Sequence, residues 1–223
     1  MPTGRQGGIW GTAGIAVGPN GNLYVATGNS EATTTFDYGD AVIELSPQLH
    51  NLSYFAPTNW AYLNTHDVDL GSVAPTILPN GDVFQIGKEG VGYLLNGNDL
   101  GGVGGQIFNE SICGGGYGAT ATVGESVLVP CDDSLVKIDV GASNFSVAWT
   151  ARGFDSGSPI VTGDVVWAVN ISTAHLLGFN LSTGAPVFSF ALDGADHFIS
   201  PGAAPGVVLV GAGNELYSFA LVA

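Results

Sequence analysis

Short apolar runs, each bounded by turn residues, follow one another along the whole chain. Residues 65–96 show the pattern most fully: a polar loop, a small-residue strand start, a Pro-Asn-Gly turn at 79–81, a β-rich run at 83–86, a second polar loop and an apolar strand at 91–95. Asn-Gly between two apolar runs is a strong hairpin signal. The pattern therefore predicts an all-β protein without long helices, and no apolar run reaches the roughly 18 residues of a membrane span.

The same strand pattern repeats along the chain. Small-residue strand starts are followed by a glycine-bearing turn, an apolar strand, a third strand and, in the first four repeats, a fourth strand. Four strands in roughly 40–45 residues are typical of a β-propeller blade. The repeats cover residues 9–57, 70–109, 115–151, 156–192 and 198–223.

The last repeat stops after its third strand, and residues 1–8 are too short and glycine-rich to supply a fourth. The sequence thus predicts one domain over residues 1–223, with about 4.75 four-stranded blades and an incomplete N-terminus. These blades would form part of a seven- or eight-bladed ring. A self-contained five-bladed ring is the competing interpretation.

Composition narrows the classes of partner. The formal net charge is −15, with only four Lys plus Arg, so the basic contacts that nucleic acid requires are missing. Scarcity of lysine favours an extracytoplasmic protein, whose signal peptide we expect in the absent N-terminal part.

In an up-and-down blade, the loops between successive blades and between second and third strands share one rim of the ring. Most of the nineteen acidic residues fall in those loops, as do His66, His175, His197, Lys88 and Arg152, so we expect function on this rim.

Cys113 and Cys131 lie in two adjacent loops on the predicted rim. In an exported protein this placement favours a disulfide, with two free thiols as the alternative. Cys113 begins Cys-Gly-Gly-Gly-Tyr, which lacks the Cys-x-x-Cys-His pattern of haem attachment.

Four segments in order resemble the bacterial pyrroloquinoline quinone (PQQ) dehydrogenase propellers. They are Gly7-Gly8-Ile9-Trp10-Gly11, Thr27-Gly28-Asn29, His66-Asp67-Val68-Asp69 and Gly87-Lys88-Glu89-Gly90. The resemblance implies that Trp10 lies under a quinone, that Asn29 and Asp69 bind Ca²⁺, and that Lys88 contacts the cofactor. It also implies that Asp69, or else Asp67, is the catalytic base.

The chain departs from that family at the same segments. Val68 replaces the tryptophan expected before Asp69, and Glu89 replaces an asparagine. Propellers with these repeats also include proteins that bind no quinone, among them assembly-scaffold lipoproteins of the outer membrane. We therefore predict a non-catalytic binding or scaffold propeller of the bacterial cell envelope or exterior. The alternative is a PQQ- and Ca²⁺-dependent dehydrogenase that oxidises an alcohol, polyol or sugar.

The partner is correspondingly either an envelope protein on the acidic rim or a small alcohol or sugar. A third interpretation is a carbohydrate-active propeller that uses Asp67 and Asp69 as paired carboxylates. Taken singly, each residue also has an ordinary structural role: Trp10 as a packed core aromatic, Asn29 in an Asx turn and Lys88 as a solvated loop charge.

Overall fold

The computed structural model describes residues 4–221 and consists of antiparallel sheets whose strands follow one another along the chain. The first sheet contains β1 (Ala16–Val17), β2 (Leu23–Ala26), β3 (Val42–Leu45) and β4 (Asn51–Ala56). The second contains β5 (Thr76–Ile77), β6 (Val83–Gln85), β7 (Val91–Leu95) and β9 (Phe108–Ser111). Between β7 and β9 the chain forms β8 (Gly102–Val103), which belongs to the first sheet.

The remaining sheets repeat this order. The third contains β10 (Ala121–Val123), β11 (Ser126–Pro130), β12 (Ser134–Val140) and β13 (Phe145–Arg152). The fourth contains β14 (Ile160–Thr162), β15 (Val165–Asn170), β16 (His175–Asn180) and β17 (Pro186–Ala191). The fifth contains β18 (Gly202–Ala204), β19 (Val207–Ala212) and β20 (Glu215–Ala220). The predicted all-β class and the four-stranded antiparallel sheets are confirmed, whereas the number of blades and the ring size stay predictions.

Each hydrophobic cluster lies between two consecutive sheets. Phe84 and Leu94 of the second sheet pack with Val127 and Val136 of the third, and equivalent clusters join the other neighbouring pairs. Middle strands such as β15 are therefore buried on both faces, which explains why they are continuously apolar rather than alternating. The first strands of several neighbouring sheets contact one another, so they lie on the inner side of the assembly.

Strand β8 departs from the predicted repeat. It follows β7 in the chain, yet it pairs in parallel with β4 of the first sheet, in the register Phe55 with Gly102 and Ala56 with Val103. The run Gly-Gln-Ile-Phe-Asn at 105–109 predicts the fourth strand of the second repeat, but β9 begins only at Phe108. The intervening residues are used by the neighbouring sheet.

The segment between the first and second predicted repeats, where the sequence pattern predicts only a loop, contains the helix α1 (Trp60–His66). A 3₁₀ turn follows at Leu70–Ser72. The small-residue run at 71–75 predicts the start of a strand, but the 3₁₀ turn occupies its first two residues and β5 begins only at Thr76. A seven-residue helix has too few turns to show an apolar period, and burial of Leu63 stabilises it. The side chain of Asn64 accepts the backbone N–H of Ser30 and donates to the carbonyl of Ala32, which fixes α1 against the first sheet.

Within residues 4–221, the helices are all too short or too polar to cross a bilayer.

Candidate functional site

The candidate site is a cavity of about 570 Å³ where several loops on one side of the sheets meet. Of the five residues that the resemblance picked out for cofactor, metal and catalysis, four line this cavity; the fifth, Asn29, does not. The lining residues are Trp10, Asp67, Asp69, Ser72, Lys88, Tyr117, His197 and Phe198. They come from the segment before β1 and from the loops that follow β4, β6, β9 and β17.

Lys88 lies between the two carboxylates and binds one of them more closely. Its Nζ is 2.5 Å from Oδ2 of Asp69 and 3.3 Å from Oδ2 of Asp67, and it also donates to the Asp67 carbonyl at 3.1 Å. The Asp69 side chain is 7% exposed, whereas that of Asp67 is 75% exposed. Burial lowers the pKa of Lys88, but the hydrogen bond and charge of Asp69, then those of Asp67, outweigh it and raise the pKa overall. Lys88 therefore stays charged and neutralises Asp69, leaving Asp67 open to solvent.

The Thr27-Gly28-Asn29 segment holds Asp69 beside Trp10. The backbone N–H of Asn29 donates to Oδ1 of Asp69 at 2.8 Å. A Cβ on Gly28 would lie 2.5 Å from both Oδ1 of Asp69 and Nε1 of Trp10, so only glycine allows the two side chains to approach this closely. Asn29 itself lines an adjoining hollow that shares Trp10 with the main cavity.

The segment that carries Asp69 is held from below by two buried polar side chains. Oδ1 of Asp40 accepts the N–H of Leu70 at 2.8 Å, and the side-chain amide of Gln85 donates to the carbonyls of Leu70 and Val73. Oδ2 of Asp40 is buried without a hydrogen-bond partner among the described residues. Burial raises the pKa of Asp40 to about 7; the Leu70 hydrogen bond opposes this rise and the charge of Asp69 adds to it.

Aromatic rings line the rest of the cavity. Trp10 is 62% exposed, so the structure contradicts the interpretation of this residue as a packed core aromatic. His197 packs on Phe198 with 3.9 Å between ring centroids and meets Tyr117 edge-on at 6.2 Å. Burial, then the charge of Asp132, raises the pKa of Tyr117, so its hydroxyl remains neutral and can donate a hydrogen bond.

The structure joins Cys113 and Cys131 by a disulfide, which fixes the loop that carries Tyr117. The neighbouring backbone reinforces this link, because Tyr117 donates to the carbonyl of Pro130 and Asp132 donates to that of Gly115. Two loops of the third repeat are thereby held together at the edge of the cavity.

Calcium does not fit the residues that the resemblance assigned to it. Both oxygens of Asp69 are engaged, one by the N–H of Asn29 and the other by the ammonium of Lys88, which holds the position of a cation. Across residues 4–221, three His, Cys, Asp or Glu ligand atoms come together only at Cys113, Cys131 and Asp133. The two cysteines are bonded to each other there, so this group is not a metal site either.

Sequence reasoning found the charged half of the site and missed most of its surroundings. Tyr117, Phe198 and Ser72 were not singled out. Asp40 and His197 were placed only on the rim, and the side chain of Asp40 is in fact buried. A single aromatic or acidic residue in a loop carries no periodic signal, and the one available hint was the Cys-Gly-Gly-Gly-Tyr run, which ties Tyr117 to a cysteine.

Comparisons with known proteins bear on the fold alone. No protein-family model and no curated protein matches the sequence. The structure is similar to BamB from Moraxella catarrhalis, with a TM-score of 0.64, 17% identity, and coverage of 93% of this chain and 57% of that one. It is also similar to the computationally designed Ika4 protein, with a TM-score of 0.51, 11% identity, and coverage of 63% of this chain and 86% of that one. The likeness to BamB establishes the β-propeller fold, and the chain spans a little over half the length of that protein.

Proposed function

We propose that this chain is a non-catalytic β-propeller of the bacterial cell envelope or exterior that binds a protein partner through the cavity at Trp10. The observation that carries the proposal is the pairing of a largely exposed indole with the exposed carboxylate of Asp67 in one cavity. Tryptophan, tyrosine and arginine are the side chains most often found at the energetic centre of protein interfaces. The Cys113–Cys131 disulfide supports an oxidising compartment outside the cytoplasm.

The charge of the cavity favours a basic segment of the partner. Lys88 is the only Lys or Arg among the lining residues and pairs with both Asp69 and Asp67, so the carboxylates outnumber it by one and the cavity keeps an excess of negative charge. An arginine side chain can stack on the indole of Trp10 and pair with Asp67 at the same time. The net charge of −15 for the whole chain would steer such a partner toward this protein.

A second candidate is the PQQ-dependent dehydrogenase. One observation favours it: Trp10, Asp69 and Lys88, which the resemblance assigns to cofactor and catalysis, line the same cavity. Two features oppose it, namely the poor fit of calcium and the excess of carboxylates around a site that would have to bind a quinone bearing carboxylates of its own.

Binding of a hexa-arginine peptide tests the first proposal. We expect saturable binding to the wild-type chain, and we expect Trp10→Ala and Asp67→Asn each to raise the Kd by about 3- to 30-fold, the range for cation–π and exposed ion pairs. Glu125→Gln is the matched control, because Glu125 is exposed in the turn between β10 and β11 and does not line the cavity. Isothermal titration calorimetry measures the Kd of the peptide for the wild type and for each of the three variants.

Peptide binding that is equal in all four proteins, or absent from the wild type, would refute the basic-partner proposal. PQQ is titrated into the same proteins with and without Ca²⁺, following tryptophan fluorescence. Ca²⁺-dependent, saturable quenching that Trp10→Ala removes would instead support the dehydrogenase.

A further inference from the structure

A second cavity, of about 530 Å³, opens on the outer edge of the first sheet and shares no residue with the Trp10 site. It lies where β4 meets β8 and the segment that precedes β8. Tyr38, Asn51, Tyr54 and Asp99 line it, together with Leu52, Ser53 and Gly102.

Two tyrosine rings form adjoining walls of this cavity, supported from behind by further aromatic side chains. Tyr38 and Tyr54 meet at 76° with 5.1 Å between centroids, while Phe36 stacks on Tyr54 at 5.1 Å and contacts Trp60 edge-on at 5.5 Å. These rings therefore pack closely against one another. They offer flat apolar surfaces at the edge of the sheet.

The backbone of Tyr38 is held in an unfavourable conformation. Its φ of 72° lies in the left-handed region, which costs a non-glycine residue roughly 1–2 kcal/mol. The hydroxyl of Thr27 donates to the Tyr38 carbonyl at 2.6 Å and helps to hold it there. Strain of this kind is retained where the orientation of the side chain matters, and here it turns the ring toward Tyr54.

The polar groups of the cavity have spare hydrogen-bonding capacity. Within residues 4–221, the hydroxyls of Tyr38 and Tyr54 and the side-chain amide of Asn51 make no hydrogen bond. Asp99 uses only Oδ1, which accepts the N–H of Gly101. The lining contains no Lys or Arg, so nothing in it would offset the charge of a phosphate, sulfate or uronate.

Flat aromatic walls surrounded by free donors and acceptors match the surface of a sugar ring, which presents apolar C–H faces and hydroxyls at its edges. We propose that this cavity binds a neutral oligosaccharide, with a sugar ring against Tyr38 and Tyr54 and its hydroxyls bonded to Asn51 and Asp99. The site is independent of the Trp10 cavity and would add glycan recognition to partner binding.

Titration with maltohexaose, cellohexaose and chitohexaose tests the proposal, with choline as the cationic probe. Tyr38→Asn removes a wall and keeps a residue that tolerates positive φ. Tyr54→Phe removes a hydroxyl, and Asp99→Asn replaces one carboxylate oxygen by an amide NH2, each with little change in packing. We expect at least one hexasaccharide to bind the wild-type chain. We expect Tyr38→Asn to weaken that binding at least 10-fold, and each of the other two variants to weaken it about 3- to 10-fold.

Tyr62→Phe is the control, because Tyr62 is an exposed tyrosine on α1 outside the cavity, and near-ultraviolet circular dichroism verifies that each variant is folded. Three outcomes would overturn the proposal: no binding of any hexasaccharide at 10 mM, sugar binding unchanged in the three folded variants, or binding of choline alone.

Discussion

Asp40 holds a carboxyl group in the interior, directly below the segment that carries Asp69. One oxygen accepts the N–H of Leu70 and the other has no partner among the described residues, so ionisation leaves a buried charge without full compensation. Burial therefore raises the pKa of Asp40 from 3.8 to about 7. The loop that positions Asp69 thus depends on a side chain that changes charge near neutral pH.

Replacing Asp40 by Asn should make the protein more stable above pH 7 and leave it about equally stable near pH 4. The Asp40 carboxyl holds its proton more strongly in the folded state than in the unfolded chain. The stability that this carboxyl contributes is therefore fully present below pH 3.8 and is lost as the pH rises to about 7. A shift of this size corresponds to roughly 2–4 kcal/mol at pH 8. Asn also tolerates the φ of 48° at this position.

Urea unfolding of both proteins at pH 4, 6 and 8 measures this difference in the free energy of unfolding. Glu125→Gln serves as the control for loss of one exposed carboxylate. A difference between Asp40→Asn and wild type that does not change with pH would contradict the prediction.

Single residues also show what the sequence could and could not predict about the site. Trp10, Asp67, Asp69 and Lys88 were identified because they occur in short segments whose order resembles a known family. Their function in this chain remains a proposal. The ion pair that ties Lys88 to Asp69 could not be predicted, because it depends on how loops from two different sheets meet.

At the level of elements, strands were predictable and the short helix was not. Turn residues bound each apolar run, and middle strands are apolar on both faces, so β11, β15 and β19 appear directly in the sequence pattern. The helix α1 and the crossing strand β8 depend on tertiary contacts, namely burial of Leu63 and pairing with β4. Neither contact can be recognised from the local sequence.

Removing the disulfide with Cys113→Ala and Cys131→Ala should destabilise the chain by roughly 3 kcal/mol, the loop-entropy effect for a sequence separation of 18. Because this link fixes the loop of Tyr117, we also expect faster amide hydrogen exchange over residues 113–117 and 131–133. Exchange monitored by mass spectrometry, with the fourth sheet as internal reference, measures the local effect.

A reductant supplies the control for the disulfide experiment. It should reproduce the change in the wild-type chain and have no effect on the double variant. Loss of stability spread evenly over all sheets, with no local increase at Tyr117, would show that the disulfide does not organise the cavity.

For the whole molecule, charge should separate the two proposed binding sites. The chain has a net charge of −15, and attraction between exposed charges weakens as salt shortens the screening length from about 10 Å at 0.1 M to about 4–5 Å at 0.5 M. We expect the affinity for hexa-arginine to fall about 10-fold or more between 0.05 and 0.5 M NaCl. Affinity for the neutral hexasaccharide should stay within about twofold.

Calorimetry in the two salt concentrations measures both affinities in the same protein preparation. Hexa-arginine binding that is insensitive to salt would argue against an electrostatic site at Asp67. A parallel loss of sugar binding would argue that the Tyr38 cavity also recognises charge.

The β-propeller fold was accessible from the sequence because a fixed strand period survives even where sequence identity to BamB is only 17%. Ring size and blade count stay predictions. The described fifth sheet has three strands, and β20 has no outer neighbour within residues 4–221.

Strand β8 couples the unfolding of the first and second repeats. By position in the chain it belongs to the second repeat, but its hydrogen bonds are made to β4 of the first. In most repeat proteins each unit contacts only its immediate neighbours, so units at an end can open separately. Here a backbone segment of one repeat completes the sheet of the other. Opening of the first sheet must therefore release the 96–107 segment of the second, and the two repeats should unfold and refold as one cooperative unit.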